Sequence, residues 1–277
     1  GPLGAAALRM TLAAVILCAV VRPRVRGWDR RTWTGVVALG VGLAGMNALI
    51  YLAIDRIPLG VAVTIELLGP LAVAVAGTRR WRDVTWVALA AIGVALLGLD
   101  GEAQLDLVGA LLAAGAAAFW ALYIVASARL GPRARGVDGL GVAMVVAALL
   151  VAPWGASEAI GAVAVDPLLL LAFAGVAIMT SAIPYALEFL ALKRMPTRVF
   201  GVLSSLGPAV AALAGLLVLG QDLSPAQLIA IVVVMAACAG AVASSRSRSM
   251  RISSSAPPAP LIDGAHDGDI TGRDSAS

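Results

Sequence analysis

The chain has 277 residues, 61% of them hydrophobic and 13% charged, where a soluble domain carries about 25% charged residues. That balance excludes an ordinary soluble protein and leaves an integral membrane protein, with length for many spans of roughly 20 residues each. The net charge of +4 comes from arginines in short loops between apolar runs, which reads as a topology signal and not as a nucleic-acid surface.

Apolar runs predict helices, named A to I, near 4–21, 34–54, 59–77, 84–99, 106–126, 139–154, 167–191, 199–219 and 226–243. Between them the loop charges alternate. Arg22, Arg24, Arg26, Arg30 and Arg31 follow A; Arg79, Arg80 and Arg82 follow C; Arg129, Arg133 and Arg135 follow E. Lys193, Arg194 and Arg198 follow G, and Arg246, Arg248 and Arg251 follow I. The other loops carry acids: Asp100, Glu102 and Asp106, then Glu158 and Asp166, then Asp222. The positive-inside rule puts the basic set in the cytoplasm, so A enters from outside and the C-terminus is cytoplasmic.

Helix C repeats itself. The stretch 53–77, AIDRIPLGVAVTIELLGPLAVAVAG, aligns without a gap to 191–215, ALKRMPTRVFGVLSSLGPAVAALAG, with ten identities. Arg56 meets Arg194, Pro58 meets Pro196, Gly69-Pro70 meets Gly207-Pro208, and Gly77 meets Gly215. C runs inward and its echo H runs outward, so the halves are inverted, which needs an odd number of spans in each. The second half has five (E to I) and the first has four, so the expected fold is an all-α polytopic bundle of two inverted five-helix repeats, with nine helices here and the first missing. The division is 1–100 for the first repeat, 101–243 for the second, and 244–277, rich in Ser, Pro, Gly and Asp, for a disordered cytoplasmic tail.

Charged side chains within the bilayer cost roughly 2.5–3.5 kcal/mol on insertion scales, so each one needs a reason. Glu66 and Arg9 lie at equal depth on parallel helices, which suggests a pair in which Glu66 takes a proton or a substrate ammonium and Arg9 tunes it. Glu188, in the cytoplasmic part of G, reads either as a site carboxylate or as one snorkelling beside Lys193, with snorkelling preferred. Asn47 and Tyr51 are a turn apart on B; Trp120 and Tyr123 are a turn apart on E; Tyr185 follows Pro184. Of these, Asn47 is the better cavity candidate, since Tyr51 reads also as an interface anchor; Trp120 with Tyr123 reads equally as cavity lining or as packing; and Tyr185 marks where a kinked helix would expose backbone carbonyls to a cavity. Ser204 takes the Glu66 position in the second repeat. Pro70, Pro184 and Pro208 are candidate kinks around a central cavity. Trp28, Trp33, Trp81, Trp86 and Trp154 read as interface anchors. Cys18 and Cys238 fall within spans and the one histidine, His266, lies in the tail, so no disulfide, metal or cofactor is expected. An intramembrane enzyme would need a nucleophile with a base, or metal ligands, within the spans; no such set is present, nor any phosphate-binding loop for ATP.

The run IPLGVAV-x-x-E-x-x-GPLAVA, followed by Arg79-Arg80, resembles the threonine/homoserine exporters of the EamA branch of the drug/metabolite transporter superfamily. Leu8-Arg9, Phe119-Trp120-Ala121-x-Tyr123, Pro184-Tyr185-x-Leu187-Glu188, Leu192 to Thr197 and Gly207-Pro208 also match, so the similarity covers about 4–243. One departure is Gly207, where such proteins often carry Glu. The resemblance implies ten helices in two inverted repeats and export of small amino acids, or of another small metabolite or drug, by proton antiport with alternating access. The partners would be the small-molecule substrate, protons and the bilayer.

Overall fold

The computed structural model describes residues 1–76, 85–86, 88–90, 92–93, 96, 106–194, 207–220 and 223–254. Expectations placed on Arg79, Arg80, Arg82, Trp81, Asp100, Glu102, Arg198, Ser204 and Asp222 lie outside these residues.

Each of the nine apolar runs carries helix, and no strand occurs among the described residues. The helices are α1 (Pro2–Val21), α2 (Arg30–Ile54), α3 (Leu59–Glu66), α4 (Leu68–Ala76), α5 (Leu107–Leu130), α6 (Asp138–Val165), α7 (Leu168–Ala177), α8 (Ile183–Arg194), α9 (Gly207–Leu219) and α10 (Pro225–Ser254). A π-helical turn, Ile178–Ala182, joins α7 to α8. The described residues of run D, between 85 and 96, are helical as well. Among the described residues, five stretches are long and apolar enough to cross a membrane: α1, α2, α5, α6 and the continuous Leu168–Arg194.

Proline chemistry explains the interruptions. Pro70 has no N–H for the Glu66 carbonyl four residues back, and α3 ends at Glu66, with Leu67 as the break before α4. Pro184 stands in the same relation to Thr180, and the helix widens there into the π turn. Pro153, by contrast, sits inside an unbroken α6. Run F was expected to stop near 154; the helix continues to Val165 and spans about 42 Å at 1.5 Å per residue. Glu158 is therefore not a loop acid: it lies on α6, and its carboxylate accepts from the Gly4 backbone N–H at 2.9 Å, satisfying an orphan donor in the first turn of α1. Trp154 is exposed and lies inside α6, with the helix continuing beyond it to Val165. Trp86 packs across α10 at Gly240. At the C-terminal end, α10 runs to Ser254, so residues 244–254 are helical and not the start of a disordered tail. A helix started on the apolar run propagates through Ala, Ser and Arg, all of which tolerate it. Residues 255–277 lie outside the described residues.

The core is centred on α2, which packs between α5 and α6. Small residues allow the approach: Gly40 faces Val146 of α6, and Gly42 lies so near the backbone of Tyr123 on α5 that a Cβ there would stand 3.0 Å from its nitrogen. Met10, Leu39, Leu43, Tyr123, Met144 and Phe189 are fully buried in this layer. Leu111, Leu149, Ile160, Leu171, Leu187 and Leu217 are exposed instead. An apolar exterior of this kind is what a lipid-facing surface requires.

Two helix starts are capped by aspartates, α2 by Asp29 and α5 by Asp106. Asp29 accepts from the Thr32 backbone N–H at 2.8 Å and its hydroxyl at 2.6 Å. Those two hydrogen bonds, with the Arg133 charge as a lesser contributor, hold the Asp29 carboxyl below the usual range. Asp106 is also held low, first by its hydrogen bond from Arg56 at 3.0 Å. A carboxyl with a lowered folded-state pKa adds stability above the ordinary aspartate value, and that stability is lost as pH falls through the lowered one. Asp29→Ala is therefore expected to lower the melting temperature in detergent at neutral pH, with the difference closing in strong acid. A gap that stays constant across pH would show that the cap charge contributes nothing.

Candidate functional site

A cavity of about 250 Å³ opens where the proline-interrupted helices meet α2 and α5. Its wall takes Met46, Asn47 and Ile50 from α2, Glu66 from the end of α3, and Trp120 from α5. Thr180 of the π turn and Pro184, Tyr185 and Glu188 of α8 complete it. Both interruptions thus coincide with the cavity: Glu66 is the last residue of α3, and Pro184 is the second residue of α8, one position after Ile183 closes the π turn. Such turns free backbone groups and recur at functional sites.

Two carboxylates face this space. Glu66 is 8% exposed, and no lysine or arginine nitrogen lies within 4.0 Å of it or of Glu188 among the described residues. Glu188 accepts a hydrogen bond from the fully buried Tyr123 hydroxyl at 3.2 Å. The snorkelling alternative for Glu188 is overturned: Lys193 donates to the backbone carbonyls of Ala134 and Gly136 instead, at 2.8 and 2.9 Å.

The arginine lies behind the cavity wall. Arg9, 5% exposed, donates to Ser181 Oγ at 2.6 Å, to Thr180 Oγ1 at 3.4 Å and to Asn47 Oδ1, and its guanidinium sits 5.1 Å from the centre of the Tyr51 ring. The expected Arg9–Glu66 ion pair does not form. Equal depth says nothing about which way a side chain points around its helix, and α1 packs against α2, α6 and the 168–182 segment, so those elements take the fork. Asn47 relays the contact: its Nδ2 donates to the Leu43 carbonyl at 2.8 Å, leaving Oδ1 to accept from both Arg9 and the Tyr185 hydroxyl, the latter at 3.0 Å. The Tyr185 ring in turn lies 5.9 Å from that of Tyr123. A continuous path of polar and aromatic contacts runs from Arg9 to Glu188.

Of the residues singled out in the sequence, Glu66, Asn47, Trp120, Pro184, Tyr185 and Glu188 line the cavity, and Arg9, Tyr51 and Tyr123 support it. Pro70 makes the break beside Glu66. Pro208 lies in the first turn of α9, where no kink can be assigned, because residues 195–206 and Ser204 lie outside the described residues. Sequence reading missed Thr180 and Ser181. Their signal was available: two adjacent hydroxyls in an apolar span, one of them four residues before a proline.

A cavity that gathers Glu66, Asn47, Tyr185 and Glu188 among helices whose outer faces are apolar fits a multi-pass membrane protein of the solute-transporting class. The chain belongs to the EamA-like transporter family, whose profile matches residues 107–243. It is 41% identical over 254 residues to the threonine/homoserine exporter RhtA of Escherichia coli, covering 90% of this chain and 84% of that protein. The exporter of the same name from Salmonella typhimurium is 40% identical over 242 residues, covering 87% and 81%. A solved crystal structure shares the architecture at a TM-score of 0.58 and 25% identity, over 90% of this chain and 89% of its own. Membership in this family makes the protein a transporter and not an enzyme.

Proposed function

We propose that the protein exports small amino acids of the threonine and homoserine kind across the inner membrane by proton antiport. The observation that carries the mechanism is the cavity holding two carboxylates, Glu66 and Glu188, with no cation paired to either among the described residues. A substrate ammonium supplies the missing positive charge. In its absence a proton does, and mutually exclusive occupancy by the two is what antiport requires. Tyr185 and Asn47, the latter held by Arg9, offer hydrogen bonds to the substrate's hydroxyl and carboxylate. At about 250 Å³ the cavity lies below the ~300–1,000 Å³ of drug-sized sites, which favours a small metabolite over a drug.

Alternating access follows from two inverted repeats, 1–100 and 101–243, rocking about this site. The family match at 107–243 supports that division, and so does the contact between the repeated segments. Gly60 of α3 abuts Ala212 of α9 while Val63 approaches Gly207, so these two helices cross in opposite senses. The arginine-bearing loops and the C-terminus face the cytoplasm in this arrangement.

The test is uptake of labelled threonine and homoserine into inside-out vesicles, with and without an imposed proton gradient. Gradient-driven uptake is expected in the parent and is expected to disappear in Glu66→Gln, while passive exchange of one substrate for another persists. Equal gradient dependence in both proteins would remove Glu66 from the coupling step. Uptake of neither amino acid would overturn the substrate assignment.

A further inference from the structure

Away from the cavity, at the arginine-rich end of the bundle, a groove of about 320 Å³ runs between α2 and α5. Its rim carries three guanidiniums, Arg31 of α2, Arg129 of α5 and Arg133 of the loop that follows, with Thr34 beside them. Below the rim the walls are apolar, with Leu122 and Val125 on α5. The α2 side extends from residue 31 to residue 38, two helical turns or about 10 Å at 1.5 Å per residue. The groove therefore runs from a charged rim, at the start of α2 and the end of α5, down to an apolar floor.

The three charges have no counter-ion among the described residues. None of these arginines closes a salt bridge among the described residues; the bond that fixes one of them is from Arg133 Nη1 to the Arg129 carbonyl at 2.6 Å. Asp29, the acid that feels the Arg133 charge, has its carboxylate occupied by Thr32. The helix dipole accounts for Arg129, in the last turn of α5, but opposes Arg31, in the first turn of α2. A topology signal alone requires positive charge somewhere in the loops, not three guanidiniums converging on one groove.

We propose that this groove binds one anionic phospholipid, its phosphate among Arg31, Arg129 and Arg133 and the start of an acyl chain along Leu122 and Val125. Arginine forks match phosphate oxygens in geometry, and an anionic headgroup supplies the charge the rim lacks. A free phosphate would satisfy the rim and leave the apolar floor unused, whereas a lipid uses both. The bilayer delivers such a ligand at this depth without a diffusional search, and basic pockets between helices on the cytoplasmic side suit anionic headgroups. The site is independent of the transport cavity.

The test counts bound lipids by native mass spectrometry on the purified protein offered phosphatidylglycerol or phosphatidylcholine with matched acyl chains. The parent is expected to retain phosphatidylglycerol in preference. Arg31→Gln, Arg129→Gln and Arg133→Gln are each expected to reduce that preference about fivefold, the effect of one cation beside an anionic surface. Arg135→Gln removes the same charge from the same exposed loop but off the groove, and is expected to leave the preference unchanged. Leu122→Trp fills the floor and is expected to weaken phosphatidylglycerol binding without changing the binding of inorganic phosphate. An equal loss in Arg135→Gln would replace the site with a diffuse positive field. Displacement of the lipid by inorganic phosphate, with Leu122→Trp silent, would make it a free-anion site. No preference in the parent would end the proposal.

Discussion

Arg9→Met is expected to leave a folded protein whose threonine transport falls on the order of 10- to 100-fold. Two effects oppose each other in stability. The guanidinium contributes charge-assisted hydrogen bonds to Asn47, Ser181 and Thr180, each worth about 1.5–3 kcal/mol. Holding a charge at 5% exposure costs several kcal/mol of desolvation, which an unbranched apolar side chain of similar length avoids. The hydroxyls left behind are not stranded: Thr180 Oγ1 already donates to the Val176 carbonyl at 2.8 Å, and Ser181 can bond within its helix in the same way. The net change in melting temperature is accordingly small. Transport has no such compensation. Asn47 loses the donor that fixes its Oδ1 beside Tyr185, and losing one charge-assisted bond at about 1.5–3 kcal/mol is a factor of about 10 to 100 in binding. Arg9→Lys separates charge from geometry: it keeps the cation but cannot reach α2 and the π turn together, so it should fail nearly as badly. The measurement is initial-rate uptake in inside-out vesicles beside thermal melting in detergent. Parent-like uptake in Arg9→Met would make the arginine a packing element.

The path from sequence to site was open where physics is local and closed where it depends on rotation about a helix axis. Each of the nine apolar runs carries helix among the described residues, because in lipid a single apolar segment satisfies its own backbone only as a helix. Where F ends and where I ends were misjudged for one reason: a helix does not stop at the edge of the hydrocarbon, and Glu158 and the 244–254 segment extend helices already stabilised by their apolar parts. Glu66, Asn47, Trp120 and Tyr185 were legible because a polar or aromatic residue inside an apolar span is rarely there for nothing. Their pairing was not legible. Arg9 and Glu66 share a depth, but contact also needs a shared direction, which is set by the packing of α1 against α2 and the π turn. Glu188 shows the converse. Its nearness to Lys193 in sequence suggested a boundary pair, yet five positions along a helix put the two on different faces, one toward Tyr123 and the other toward the 134–136 loop.

Gly69→Ala is expected to destabilise the protein by about 1–3 kcal/mol and to reduce transport by more than that loss of stability explains. A Cβ on Gly69 would collide with the carbonyl oxygen of Ala117 and stand 3.0 Å from its carbonyl carbon, so α4 and α5 would have to separate. The separation falls on the cavity. Gly69 lies three residues after Glu66, and Ala117 three residues before Trp120, so this one crossing sets the distance between two of its walls. Because the obstacle is backbone, Ala117→Gly should give no rescue. The contrast is Gly45→Ala, whose added methyl would meet the ring of Phe119; there Phe119→Leu should restore much of the loss. Gly161 and Gly175 have nothing within 4 Å of a Cβ, so alanine at either should be neutral or stabilise by up to about 1 kcal/mol through helix propensity. Melting in detergent and uptake in vesicles on this set separate the causes. Rescue of Gly69→Ala by Ala117→Gly would mean that a side chain, and not the main chain, holds α4 and α5 at their spacing. Equal losses at Gly69 and Gly175 would mean that helix propensity matters more here than close approach.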